Sequence, residues 1–138
     1  MNNTTDSKLL GQTLNKAGLI SFAQIQVALT DQEYNHQMRI GEILALRGWL
    51  KQPTADFFAD KWYSLIERPE KYPLGYYFAE AELMNLSQVD EVLQEQKQLW
   101  IKFGSVAVIK GFIQQQTLDF FLDSLFPQTL LDLSLIHI

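Results

Sequence analysis

The side chains that could do chemistry are few and scattered. The chain has no cysteine, which removes disulfides, thiolate zinc sites and cysteine nucleophiles together. Its histidines are His36 and His137. His36 stands among Glu33, Asn35 and Gln37, with no second imidazole at ligand spacing, so it reads as an exposed loop residue. Asp56 with Asp60, and Asp119 with Asp123, are i, i+4 carboxylate pairs that could face a cation from one helix side. The oxygen-rich loop that calcium needs is missing, and solvated faces are the better reading. Asp90 and Glu91 fall in the first turn of an expected helix, where negative charge complements the dipole. There is no Gly-x-x-x-x-Gly-Lys-[Ser/Thr] phosphate loop, and no nucleophile and base can be paired. The expectation is a protein that is not an enzyme, with no metal and no cofactor. Arg39 is different in kind. A guanidinium fork can grip a phosphate or a guanine edge in two bonds. The plainer reading is a helix-start arginine lying on the surface or pairing with Glu42.

Composition narrows the setting. The 138 residues are 47% hydrophobic and 12% aromatic, enough to bury a core. The net charge of −5 argues against a general DNA, RNA or polybasic membrane binder. The polar N-terminus has no signal-like apolar run, and no window nears the roughly 18 apolar residues of a membrane span. A cytoplasmic location without membrane insertion is expected.

The elements that position these side chains repeat. Leu10-Gly11-x-x-Leu14 leads to Gly18-Leu19-Ile20, and Ile40-Gly41-x-Ile43-Leu44 leads to Gly48-Trp49-Leu50. Leu74-Gly75-x-Tyr77-Phe78 leads to Glu82-Leu83-Met84, and Phe103-Gly104-x-Val106-Ala107 leads to Gly111-Phe112-Ile113. The spacing predicts a short helix, a turn through the left-handed region and a longer helix, used four times. Glu82 falls where the other units have glycine, so its turn should differ or carry some strain. Ser21-x-x-Gln24 and Asn85-x-x-Gln88 are capping-box patterns, and Pro53 suits a first helical turn. The long helices are expected near 22–34, 53–67, 86–100 and 114–126. The fold class is therefore all-α: tandem helical hairpins in two paired copies, stacked as a compact bundle. Residues 1–7 are expected as a disordered tail, 8–67 as the first pair, 68–73 as a proline-flanked joint and 74–127 as the second pair. Leu133 to Ile138 back-translates to a sequence resembling a library-adapter end. It is read as a scar, with the natural chain continuing beyond about Asp132.

Arg39-Ile40-Gly41-Glu42-Ile43-Leu44-x-x-x-Gly48-x-Leu50 resembles the signature of the MshEN-type N-terminal domain of type II secretion and type IV pilus assembly ATPases. Leu10-Gly11 through Gln32 is similar to the same signature with its terminal glutamine. The likeness covers 9–62 and, more weakly, 73–126. It implies a helical module of a longer bacterial regulatory or assembly protein. It also implies that cyclic di-GMP is a possible ligand, with Leu10, Gly11, Gln32, Arg39, Ile40 and Gly41 as the matching contacts. The pattern is degenerate: the leading arginine is Leu9, Pro73 and Lys102 in the other units, and the terminal glutamine is Trp62 in the second.

The aromatic residues are the remaining signal. Phe57-Phe58, Tyr76-Tyr77-Phe78 and Phe120-Phe121 are consecutive, and one helix cannot aim neighbours at one face. Some are expected to pack between repeat pairs or to stay exposed for a partner. The expected function is a non-enzymatic adaptor that docks a protein partner through aromatic grooves. The alternative is a cyclic di-GMP sensor.

Overall fold

Four times the chain ends a helix with the same two backbone bonds. Gly18 N–H reaches Asn15 O and Leu19 N–H reaches Leu14 O, both at 3.0 Å. The pairs Gly48 to Ala45 and Trp49 to Leu44, Glu82 to Ala79 and Leu83 to Phe78, and Gly111 to Val108 and Phe112 to Ala107 repeat that pattern. The first residue of each pair has positive φ. These are helix-terminating turns in which a left-handed residue lets the chain satisfy its last carbonyls. At Gly48, with φ +77 and nothing near a would-be Cβ, backbone freedom is the whole reason for glycine. Glu82 holds the same turn at φ 55, as its position in the repeat requires.

The computed structural model describes residues 3–99 and 102–127, and they are all-α. In chain order the helices are α1 (Asn3–Lys16), α2 (Phe22–Tyr34), α3 (Ile40–Leu46), α4 (Gln52–Asp56), α5 (Trp62–Glu67), α6 (Leu74–Glu80), α7 (Leu86–Leu99), α8 (Phe103–Ile109) and α9 (Gln115–Leu125). A π-helical turn, Phe57–Lys61, joins α4 to α5, with Trp62 N–H bonded to Phe57 O. Both capping boxes form. Ser21 and Gln24 exchange bonds of 2.9 and 3.1 Å, and Asn85 and Gln88 exchange bonds of 2.9 and 2.8 Å. Pro53 lies in the first turn of α4. The expected scar at 133–138 lies outside the described residues, as does Trp100.

The expected disordered tail at 1–7 needs correction. α1 begins at Asn3, with Asp6 in its first turn and Ser7 buried. Acidic and hydroxyl residues suit a helix start, and the buried Ser7 gives that turn a packed side.

Packing divides the chain into two compact units, 1–63 and 64–138. The segment 68–73, expected as the joint, is non-helical and lies in the second unit. There Lys71 Nζ caps the end of α5 by donating to Leu65 O and Ile66 O at 2.9 and 2.7 Å. Desolvation, with Arg68 nearby, lowers the Lys71 pKa. In the first unit, Leu14, Ala28, Leu44, Phe58 and Trp62 are fully enclosed. In the second, Tyr77, Phe78, Val92, Ala107 and Phe121 are. Phe57 and Phe58 are both buried, although adjacent in sequence. Their rings meet edge-on at 5.1 Å and both touch Trp62. The helix there is enclosed over a wide arc, so neighbouring positions share one core.

The Leu-Gly glycines set helix separation. A Cβ on Gly41 would sit 2.9 Å from Ala55 Cβ, and one on Gly104 would sit 2.5 Å from Leu118 Cδ1. Side chains further along pin the same helices. Arg47 grips Asp31 with two bonds of 2.6 and 2.9 Å and lies over the Trp49 ring. Lys110 reaches Glu91 and Glu95 and lies over Phe112. The Arg47 hydrogen bond lowers the Asp31 pKa, and the Glu91 and Glu95 bonds raise that of Lys110.

Gly41→Ala should destabilise by about 1–3 kcal/mol in urea unfolding, because Ala55 Cβ cannot rotate away. Glu82→Gly should stabilise by up to about 1 kcal/mol by relieving a left-handed side chain. A depressed carboxylate pKa adds stability above its unfolded value, and that stability is lost as pH falls through the folded value. NMR titration should therefore place Asp31 below the usual carboxylate range, and Arg47→Ala should return it there.

Candidate functional site

The first unit carries a groove of about 610 Å³ where α1, α3, α4 and the π turn approach one another. Its floor is apolar: Leu10, Ile40, Ala55 and Phe58 are buried. Leu10, Gln32, Arg39, Ile40 and Gly41, five of the six residues matched by the sequence resemblance, line it. Gly11 is elsewhere, with its open side 3.0 Å from Ile25 Cγ2 on α2. Sequence neighbours thus part company, because Leu10 faces the groove while Gly11 faces a helix.

Several polar groups at this groove hold the local structure. Gln32 donates its amide to Met38 O at 3.0 Å and so holds the loop before α3. Arg39 N–H donates to Glu42 Oε1 at 2.7 Å, which caps α3. The Arg39 guanidinium reaches Asp60 Oδ1 at 3.2 Å, with side chains 63% and 53% exposed. An exposed pair of this kind is weak and opens readily. Of the two plainer expectations for Arg39, an exposed surface position is what the side chain has, and Glu42 is its partner in part. The Glu42 contact is made by the backbone, and Asp60 takes the side chain. Gln52 donates to Asp56 at 2.8 Å on the far wall. Tyr63 closes one end by bonding Thr13, whose own hydroxyl donates to Leu9 O at 2.9 Å. Asp6, Glu42 and Asp56 therefore set the charge of the lining, with Arg39 opposing them. That field is unfavourable for a dianion.

The second unit carries a groove of about 410 Å³ of opposite chemistry. Tyr72, Pro73, Leu74, Tyr76, Val89, Leu93, Phe103 and Phe126 line it, with Gln96 the polar member, and none of its described lining residues is charged. Tyr72, Tyr76 and Leu93 are 41%, 39% and 43% exposed. The Tyr72 and Tyr76 rings lie 4.2 Å apart, and Tyr72 N–H donates to the Tyr77 hydroxyl at 2.9 Å.

The grooves occupy related places. Gly11 and Gly75 are 64 residues apart, and Gly41 and Gly104 are 63 apart. With those offsets Leu9, Leu10, Gln32, Ile40 and Tyr63 match Pro73, Leu74, Gln96, Phe103 and Phe126, and all ten line a groove. The pinning pairs match as well, Asp31–Arg47 with Glu95–Lys110. Ala55 and Ala59 leave room on the α4 side of the first unit, whereas Leu118 and Leu122 stand at those positions on α9. Reading the residues alone singled out the aromatics of the second groove but missed Val89 and Leu93. The offsets would not have found them, because their matches Ile25 and Leu29 do not line the first groove.

Among the described residues no cluster of His, Asp or Glu is arranged to hold a metal ion, and no helix is long and apolar enough to cross a membrane.

The fold defines a class: an all-helical protein of two compact units, each bearing a surface groove. No protein-family model and no solved structure matches the chain. An uncharacterized protein of Picosynechococcus sp. is 46% identical to it over 127 residues, which are 92% of this chain and 69% of that protein. The chain belongs to that protein's family.

Tyr63→Phe tests how far the first groove relies on its hydroxyl bond. The second unit has Phe126 at that position, so urea unfolding should show a loss of only about 0.5–1.5 kcal/mol with the helical signal intact.

Proposed function

We propose that this chain is a non-enzymatic interaction module that docks an apolar segment of a partner protein in the second-unit groove. The module would serve a longer regulatory or assembly protein. The observation that carries this reading is the convergence of exposed Tyr72, Tyr76 and Leu93 on one uncharged groove. Scattered exposed apolar residues are ordinary, but three at one concavity offer an apolar pocket that aromatic or aliphatic anchors would desolvate on binding. Gln96 supplies a polar handle at the edge. The occupant that fits is a short segment with large apolar side chains and no required charge.

A cyclic di-GMP sensor is the second reading. Five of the six matched residues meeting at the first groove favour it. The carboxylates there oppose it, since two phosphates would face Asp6, Glu42 and Asp56. Calorimetry with cyclic di-GMP decides this point. Micromolar binding that Arg39→Ala abolishes would reverse the ranking.

Panning a displayed peptide library against the whole chain tests the adaptor reading. Enriched peptides should carry aromatic or aliphatic anchors, and Leu93→Glu should weaken their binding at least about tenfold. Arg39→Ala should leave it unchanged. Peptides indifferent to Leu93→Glu would overturn the proposal.

A further inference from the structure

The first-unit groove differs from the second in the charge of its lining. We infer that it binds a basic amphipathic protein segment, with apolar residues on the Leu10–Ile40–Phe58 floor and lysine or arginine side chains meeting Asp56 and Asp6. Three independent features converge on it. The first is shape. Ala55 and Ala59 line the groove as a channel along α4, whereas the matching positions of the second unit hold the larger Leu118 and Leu122, which do not line its groove. The channel is therefore particular to one copy of the internally similar pair. The second is charge. Asp6, Glu42 and Asp56 are exposed and line the groove, and its one lining guanidinium is already drawn to Asp60. A cationic segment gains from every rim carboxylate. It can also take Asp60 from Arg39, because that exposed pair is cheap to open. The third is the π turn. Phe57–Lys61 widens the helix where Phe58 and Ala59 line the groove, whereas α9 runs as regular α-helix through the matching positions. π-bulges concentrate at functional sites because they re-aim side chains without ending the helix.

The segment's chemistry follows from these dimensions. A floor of aliphatic and phenyl groups takes two or three apolar side chains at helical spacing. Carboxylates on the rim require cations on the flanking positions. An acidic or uncharged segment would satisfy the floor but face repulsion or unpaired desolvation at the rim.

The test uses the whole chain and a 14-residue helical peptide of leucine and lysine, with its leucine/glutamate counterpart, in calorimetry. The lysine peptide should bind, and its affinity should fall as salt rises from about 20 to 300 mM. Asp56→Lys should weaken binding at least about fivefold. Glu33→Lys changes net charge equally but lies off the groove, and it should change binding less than about twofold. Ala59→Leu places the larger residue of the matching position in the channel, and it should weaken binding with no change of charge. Leu93→Glu should have no effect, so failure here and failure of the second-groove proposal remain separate. Circular dichroism of each variant establishes that it is folded. The inference is overturned if Asp56→Lys and Glu33→Lys act equally, if Ala59→Leu binds as well as the parent, if the glutamate peptide binds as tightly, or if cyclic di-GMP occupies the groove instead.

Discussion

The close approach of a short helix to its neighbour governs the rest of this structure. A methyl group on Gly41 would collide with Ala55, and one on Gly104 with Leu118. Glycine removes those atoms, the helices close, and the side chains on either side interdigitate. Everything else depends on that spacing. The left-handed turn after each short helix returns the chain within reach, and Arg47–Asp31 and Lys110–Glu95 hold the helices in register. Exposed ion pairs contribute little energy, so they select the alignment while burial of Leu44, Phe58, Phe78 and Phe121 supplies the drive.

Two similar units on one chain show how little a surface must change to change its chemistry. The matched positions keep the frame: glycines, capping boxes, turns and pins. The differences fall on the walls. Alanines replace leucines along α4, a regular helix gives way to a π turn, and Glu42 stands where the second unit has Ser105. One groove is therefore acidic and open toward α4. The other is uncharged and lined by Tyr72, Tyr76 and Phe126. A frame held by buried contacts can carry such divergence because rim residues contribute little to stability.

The glycine-leucine signature reads differently once the coordinates are considered. In sequence it suggests backbone brought close to a ligand. In the fold, Gly11 and Gly41 bring helices close to each other, and Gln32 holds a loop. Both demands select glycine for the same reason, the absence of Cβ, so residue type cannot separate them.

Sequence by itself determined the local order. Helix class, the glycine turns, both capping boxes and Pro53 in its first turn follow from backbone rules that act within a few residues, whereas Glu82 left open whether its turn would differ. It also placed Leu10, Gln32, Arg39, Ile40 and Gly41 in one list, and the fold gathers them at one groove. Only the tertiary structure decided which neighbours face the groove, that Asp60 rather than Glu42 takes the Arg39 side chain, and that Phe57 and Phe58 share one core. It also extended α1 back to Asn3, where a disordered tail was expected. These outcomes depend on which surfaces meet across long sequence separations. Periodicity records that a face is apolar, and only packing selects the face it meets.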